Sequence, residues 1–144
     1  MAIRLSTGVT TGMAGSKGVE EIFNNGFIGI FSGSQPADAN QAETGNLLVV
    51  ISKASGTAGI TFGTAGAGIL PKSADVWSGL CGTAGIAGWF RLYDINMTTG
   101  SNGTANRIDG NCGVAGSDMV LSNTNQVVGA TLTIDQSQVT IPAV

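Results

Sequence analysis

Apolar positions along the chain fall into short runs, and their spacing changes near residue 26. Before that point Val19, Ile22 and Phe23 stand at i, i+3 and i+4, which is the period of one helix face. Ser16 occupies an N-cap position, Glu20 and Glu21 lie near the positive end, and Asn24-Asn25-Gly26 is a left-handed stop. The pattern predicts one short helix over 17–25, about two turns long and marginal by itself. Its apolar face must therefore rest on a sheet or on a neighbouring subunit.

After residue 26 the runs have the length and composition of strands. Phe27–Ser32 and Asn46–Ser52 are compact, apolar and rich in β-branched or aromatic residues. The stretch between them, Gly33-Ser34-Gln35-Pro36-Ala37-Asp38-Ala39-Asn40, is a loop by composition. Weaker strands are expected at 59–62 and 68–72, with Pro71 confining the second to an edge or a strand end. In Ala87–Asp94, Trp89, Arg91 and Tyr93 alternate with Phe90 and Leu92, so one face is apolar and the other amphipathic. Asn102-Gly103 is a hairpin signal that returns the chain into 106–112. Further strands are expected at 118–122 and 130–141. In the last run Leu132 and Ile134 share one parity and Val139 and Ile141 the other, which predicts a bulge or kink near 135–138.

Roughly eight short strands with frequent turn signals predict an all-β fold, an antiparallel two-sheet sandwich of jelly-roll or Greek-key type. Residues 16–144 are read as a single β-sandwich domain, preceded by an extended, Thr- and Gly-rich N-terminal arm over 1–15 that a partner could order. Glycine supplies the punctuation. Gly-Thr-Ala-Gly recurs at 56–59, 63–66 and 82–85, with Gly-Val-Ala-Gly at 113–116; the irregular spacing indicates recurrent turns and not a solenoid. The run at 63–68 lacks the Gly-Lys-Ser/Thr ending of a phosphate loop.

Charge changes the picture. Asp, Glu, Lys and Arg make up only 10% of the 144 residues, against about 25% in an average soluble domain. So neutral a surface is poorly guarded against association, and assembly is the expectation. The net charge of −3 and six dispersed basic residues argue against a nucleic-acid partner. No apolar run reaches the ~18–20 residues of a membrane span, and no continuous apolar stretch near the N-terminus marks a secretory signal.

Candidate chemistry is sparse. The chain has no histidine, which removes the commonest general base and metal ligand. Asp38, Glu43, Asp75, Asp94, Asp109, Asp118 and Asp135 mostly sit beside small or turn-forming residues, so Asx turns are preferred over an acid/base pair. Cys81 and Cys112 each neighbour a glycine and form no CxxC motif; free, buried thiols are expected, with no metal site and no cofactor. Trp77, Trp89, Phe90 and Tyr93 are read as core and not as a sugar-binding platform. The sequons at Asn96 and Asn102 carry no meaning without export.

Phe31–Asp38, Gly45–Leu48, Gly85–Tyr93 and the stretch from Arg107-Ile108-Asp109-Gly110 through Gly129–Ile134 together resemble a family of small virion proteins of tailed bacteriophages, the capsid cement or decoration proteins. Cys112 departs from the small or polar residue expected at its position. The resemblance implies a jelly-roll-like structural protein, not an enzyme, that binds outside the major capsid protein lattice and bridges neighbouring capsomers. It would be made in the bacterial host cytoplasm and reside on the virion surface, itself a homodimer or homotrimer. A tail or baseplate module is the alternative. On this reading Ile3, Leu5 and Val9 pack on an adjacent subunit while Arg4 pairs with an acidic group there.

Overall fold

The computed structural model describes residues 3–140. The chain is mostly β-strand, arranged in one large antiparallel sheet, with two short helices. The strands are β1 (Arg4–Leu5), β2 (Phe27–Ser32), β3 (Leu47–Lys53), β4 (Ile69–Pro71), β5 (Trp77–Leu80), β6 (Gly85–Tyr93), β7 (Arg107–Gly113), β8 (Met119–Val120), β9 (Asn125–Gln126), β10 (Thr131–Ile134) and β11 (Gln138–Thr140). The large sheet runs β1-β7-β6-β2-β3-β5-β10, with β9 added to β6 and β8 paired in parallel to β7. β4 and β11 form a separate two-stranded ribbon.

Register sorts the side chains into two sets. Ile28 and Ile30 of β2 stand opposite Ile51 and Val49 on one side and Leu92 and Phe90 on the other, so all six lie on one face. Phe27, Gly29 and Phe31 stand opposite Tyr93, Arg91 and Trp89 on the other face. A bulge lets Leu48 and Val49, adjacent in sequence, both be buried: Ile30 pairs with Val49 but Phe31 with Leu47. Gly29 leaves room on the outer face, where a Cβ would come within 2.8 Å of the Phe31 ring.

The inner face carries the main core. Helix α2 (Val19–Phe23) contributes Val19, Ile22 and Phe23, the ribbon contributes Leu70, and Leu121 follows β8. Each fully buried aliphatic or aromatic side chain of this kind contributes roughly 1.5–3 kcal/mol relative to exposure. The helix expected over 17–25 is shorter than its pattern. It is capped at Gly18 without a side-chain bond, and it stops where Asn25 takes φ 63.

Residues 4–14 are not an extended arm, and the described residues hold two helices. Residues 4–5 add β1 to the edge of β7, and helix α1 (Thr7–Ala14) follows. Ser6 is its buried N-cap: the Oγ accepts from Val9 N at 3.3 Å and from Arg107 N at 2.9 Å, and donates to Ala105 O at 2.8 Å. Gly8 allows the helix to lie on the 104–105 backbone, since a Cβ there would sit 2.4 Å from Thr104 O. Tertiary contact, and not propensity, forms this helix.

Two other expectations shift. Asn102-Gly103 does not make a two-residue hairpin; β6 and β7 do pair, but across a loop in which Asn102 Oδ1 accepts from Thr104 N and Ala105 N. The expected kink after Ile134 is a change of sheet, because β10 belongs to the large sheet and β11 to the ribbon. Ile141, which set the parity of that run, lies outside the described residues.

Candidate interface on the two faces of the sheet

Over β2, β6 and β7 the outer face is polar and closed. Arg91 and Asp109 are opposite one another on β6 and β7, both fully buried, and meet in a bidentate pair of 2.6 Å (Nε–Oδ1) and 2.7 Å (Nη2–Oδ2). Glu43, from the loop between β2 and β3, accepts from Arg91 Nη1 at 3.1 Å, Tyr93 OH at 2.7 Å and Gly100 N at 2.9 Å. Arg107 donates to the carbonyls of Thr98 and Gly100 at 2.8 and 2.7 Å. Trp89 stacks on Phe31 at 4.4 Å and donates to Thr44 O at 3.2 Å. The loop over 33–46 is thereby fastened across the sheet by charge-assisted bonds.

Burial and pairing pull these groups in opposite directions. Burial raises the Asp109 carboxyl, and the Arg91 bonds do not fully offset it. Burial also acts on Glu43, but the Tyr93 hydroxyl, the Gly100 N–H and the Arg91 charge outweigh it, so its carboxyl lies below the ordinary range. Arg107 is lowered by burial and by the like charge of Arg91, and Tyr93 is raised by burial and by Glu43. Two arginines and two carboxylates thus sit together and are bonded to one another and to the backbone around them.

The inner face is apolar and only partly covered. Between the helices and the ribbon runs a groove of about 1140 Å³. Phe90, Leu92 and Ile108 form its floor, and Met13, Phe62 and Met119 stand in its walls. Ile3, Leu5 and Val120 stand on its lining with 49%, 42% and 58% of their surface exposed. Ser117, Ser122, Thr133, Gln136 and Gln138 add polar groups. Lys72, Asp118 and Asp135 place charge on the margin as well, and an apolar centre with a polar rim is the anatomy of a protein-binding surface. Trp77, also in the lining, is buried with its Nε1 unpartnered among the described residues; Lys72 lies over its ring at 5.6 Å and Phe62 edge-on at 5.4 Å.

The four residues expected at an interface separate. Ile3 and Leu5 reach the groove, because Leu5 pairs with Ile108 and shares its face. Arg4 has the opposite parity and donates from Nη1 to Pro36 O at 3.1 Å on the outer-face loop. Val9 is fully buried in the chain's own core, so it has no surface to offer a neighbour. The groove walls supplied by Met13 and Met119 were not anticipated. The i, i+4 spacing of Val9 and Met13 behind Ser6 was the one local signal for Met13.

Two of the seven acidic candidates behave as turn formers, whereas Asp75 accepts from Thr61 Oγ1 at 2.8 Å and pairs with Lys53, and Asp118 accepts from Asn111 N at 3.0 Å. Asp38 Oδ1 accepts from Asn40 N at 2.8 Å and Asp94 Oδ1 from Asn96 N at 3.0 Å. Asp109 and Glu43 depart from that expectation, as described above. Both cysteines are free; burial, together with the Asp118 charge, pushes the Cys112 thiol up to about 12. Among the described residues no cluster of His, Cys, Asp and Glu could hold a metal ion, and no helix is long and apolar enough to cross a membrane. No family model, curated protein or solved structure matches the chain.

Proposed function

We propose that the chain is a structural, non-enzymatic protein of a tailed-phage virion, which binds the outside of the capsid lattice and bridges neighbouring major capsid protein subunits. The observation that carries this reading is the incompletely covered inner face: a groove of about 1140 Å³ with Ile3, Leu5 and Val120 exposed along it. A domain of this length has residues enough to seal its core. Leaving an apolar floor open fits a protein completed by a partner. The occupant proposed is an apolar segment of the major capsid protein, held by shape and apolar contact on the floor, with polar contacts available from Lys72, Asp118 and Asp135 at the margin. Modest affinity at each site is multiplied when one particle offers many equivalent sites and each copy touches more than one subunit.

On the same reading, the large sheet and the ribbon of β4 and β11 are the two leaves of a jelly-roll-type sandwich. Support comes from the shared core, in which Leu70 packs with Ile28, Ile51 and Leu92. Arg4 keeps a proposed role at the margin of the contact. It makes no ion pair with a carboxylate among the described residues, and an acidic group on the capsid would complete it.

The test uses capsids stripped of this protein, to which purified chain is added back. Wild type should co-sediment with them and raise the temperature or denaturant needed to disrupt them, while Ile3→Ser/Leu5→Ser should bind at least about tenfold more weakly. Point changes serve better than removal of residues 1–15, which would take Val9 from the core and Ser6 from its bonds. Unchanged binding by the double variant overturns the groove as the contact. Absence of wild-type binding, with the chain recovered instead at a few copies in the tail of purified virions, replaces the capsid reading with a tail or baseplate one.

A further inference from the structure

The charges are not spread evenly over the sheet. Of 15 charged residues, six basic and nine acidic, none lies in 44–52, 76–90 or 119–134. Hydrogen bonds draw one end of each of these segments together. Gly82 N donates to Leu48 O at 2.9 Å, Val49 bridges Cys81, Cys81 N donates to Ala130 O at 2.8 Å and Gly129 N to Cys81 O at 2.9 Å. Gly85 and Ile86 at the start of β6 pair with Gln126 and Asn125. At the end of the sheet where β3 and β6 begin and β5 finishes, these strands thus carry no formal charge, and Asp118 stands at the neighbouring end of β7, accepting from Asn111 N at 3.0 Å. The other ends of the same strands lead to Lys53, Asp75, Asp94 and Asp135, with Lys53 and Asp75 in an ion pair of 3.1 Å.

The same end also carries large aliphatic groups in water. Leu47, Leu80, Ile86, Val127 and Val128 are between 41% and 65% exposed. Isolated apolar side chains on a surface are ordinary, but five on mutually bonded segments, with no charge among them, form a patch that needs a partner.

We infer that this end is the surface by which the chain associates with a second copy of itself. The charge distribution selects that occupant. In an isologous contact the same patch comes from both sides, so any charge near the axis meets its own like charge. Strands without charge at this end meet no such repulsion, whereas the opposite end, with its lysines and aspartates, would have to be arranged around it. Recognition of a different protein commonly uses complementary charge for steering and discrimination, and these strands offer none here. The groove on the inner face is left open by such a contact, so self-association and capsid binding use separate surfaces.

The isolated full-length chain, without capsids, is examined by sedimentation velocity and equilibrium over a wide concentration range. Wild type should form a closed species of defined size. Leu80→Glu and Ile86→Glu should each weaken it by about tenfold or more, as expected for residues at an interface centre, with an unchanged circular dichroism spectrum. Val128→Glu, in a turn outside the core, provides an independent variant should either of those fail to fold. Mixing Leu80→Glu with Leu80→Lys should restore association that neither forms alone. A wild type that stays monomeric, open-ended aggregation without a closed species, or association that survives all three glutamates overturns the inference. Association lost only on Leu5→Ser would assign the contact to the groove and also overturn it. Because capsids are absent, these outcomes leave the capsid reading to its own test.

Discussion

The two faces of the large sheet bury opposite chemistry on the same strands. Arg91 and Leu92 are neighbours in β6, yet one points into a cluster of four charged groups and the other onto the floor of an apolar groove. The polar face is closed, its charges neutralised locally and its loop tied down. The apolar face is left open. Burial of charge rarely adds net stability compared with a well-packed apolar alternative, but an unpaired buried charge is severely penalised. The polar face therefore specifies one arrangement of the loop over 33–46, and the apolar face retains capacity for a partner.

The sharpest way to break this contrast is to remove one member of the buried pair. Asp109→Ala leaves the Arg91 guanidinium buried without its bidentate partner, and should cost about 3–5 kcal/mol. Equilibrium denaturation in urea measures it. Replacing both partners by apolar residues, as Arg91→Met/Asp109→Leu, should cost less than Asp109→Ala alone. A double variant as damaged as the sum of the two single changes would mean that the two side chains are not coupled, and the contrast would fail.

On the apolar face the prediction concerns position. Ile30 is fully enclosed, and Ile30→Ala should fall in the upper part of the 2–5 kcal/mol range for such truncations. Ile108 borders the groove and has fewer neighbours to lose, so Ile108→Ala should fall in the lower part. Equal losses, measured under one set of denaturation conditions, would indicate that the groove is filled in solution.

Local pattern carried much of the architecture. The runs at 27–32, 46–52 and 87–94 are strands because their apolar alternation matches a two-faced sheet, and Asn25 stops α2 in the left-handed region as its side chain permits. What escaped was formed by distant partners. Thr7–Ala14 has too many threonines and glycines to announce a helix; the Ser6 bonds to residues 105 and 107 hold its start. Trp77–Leu80 is a strand because β3 and β10 flank it. The amphipathic alternation of Trp89, Arg91 and Tyr93 was legible, but its outcome depended on a loop about fifty residues earlier covering that face. Of the interface residues, Leu5 followed from nothing local, because its face is set by pairing with Ile108.

Glu43 makes the polar face testable through pH. Its folded carboxyl titrates below the ordinary value of 4.5, so its contribution is fully present above that value and disappears as pH falls through the lowered one. Glu43→Gln keeps the shape but loses the charge, and should cost about 1–3 kcal/mol near neutral pH. The gap between wild type and variant should close as pH drops below 4.5. Asp109 shifts in the opposite direction, upward, so acid alone favours its protonated folded form; it is common to both proteins and largely cancels in the difference. Thermal melts at several pH values give the curve, and a gap that is constant from neutral to acid would refute the assignment of Glu43.

The smallest expected stability effect completes the contrast. Leu5→Ser changes a side chain that is 42% exposed at the groove. Surface substitutions of this kind usually stay within about 0.5 kcal/mol, and the β1–β7 pairing uses backbone groups that the change leaves intact. Denaturation should therefore hardly distinguish it from wild type, although Asp109→Ala on the adjoining strand is severely damaged. If the open face exists for a partner, the same substitution should matter when that partner is present, lowering retention on capsids while the isolated chain is unaffected. A loss of several kcal/mol from Leu5→Ser would instead make Leu5 part of the closed core, and the distinction between a sealed face and an available one would fail at the position where it is most exposed to test.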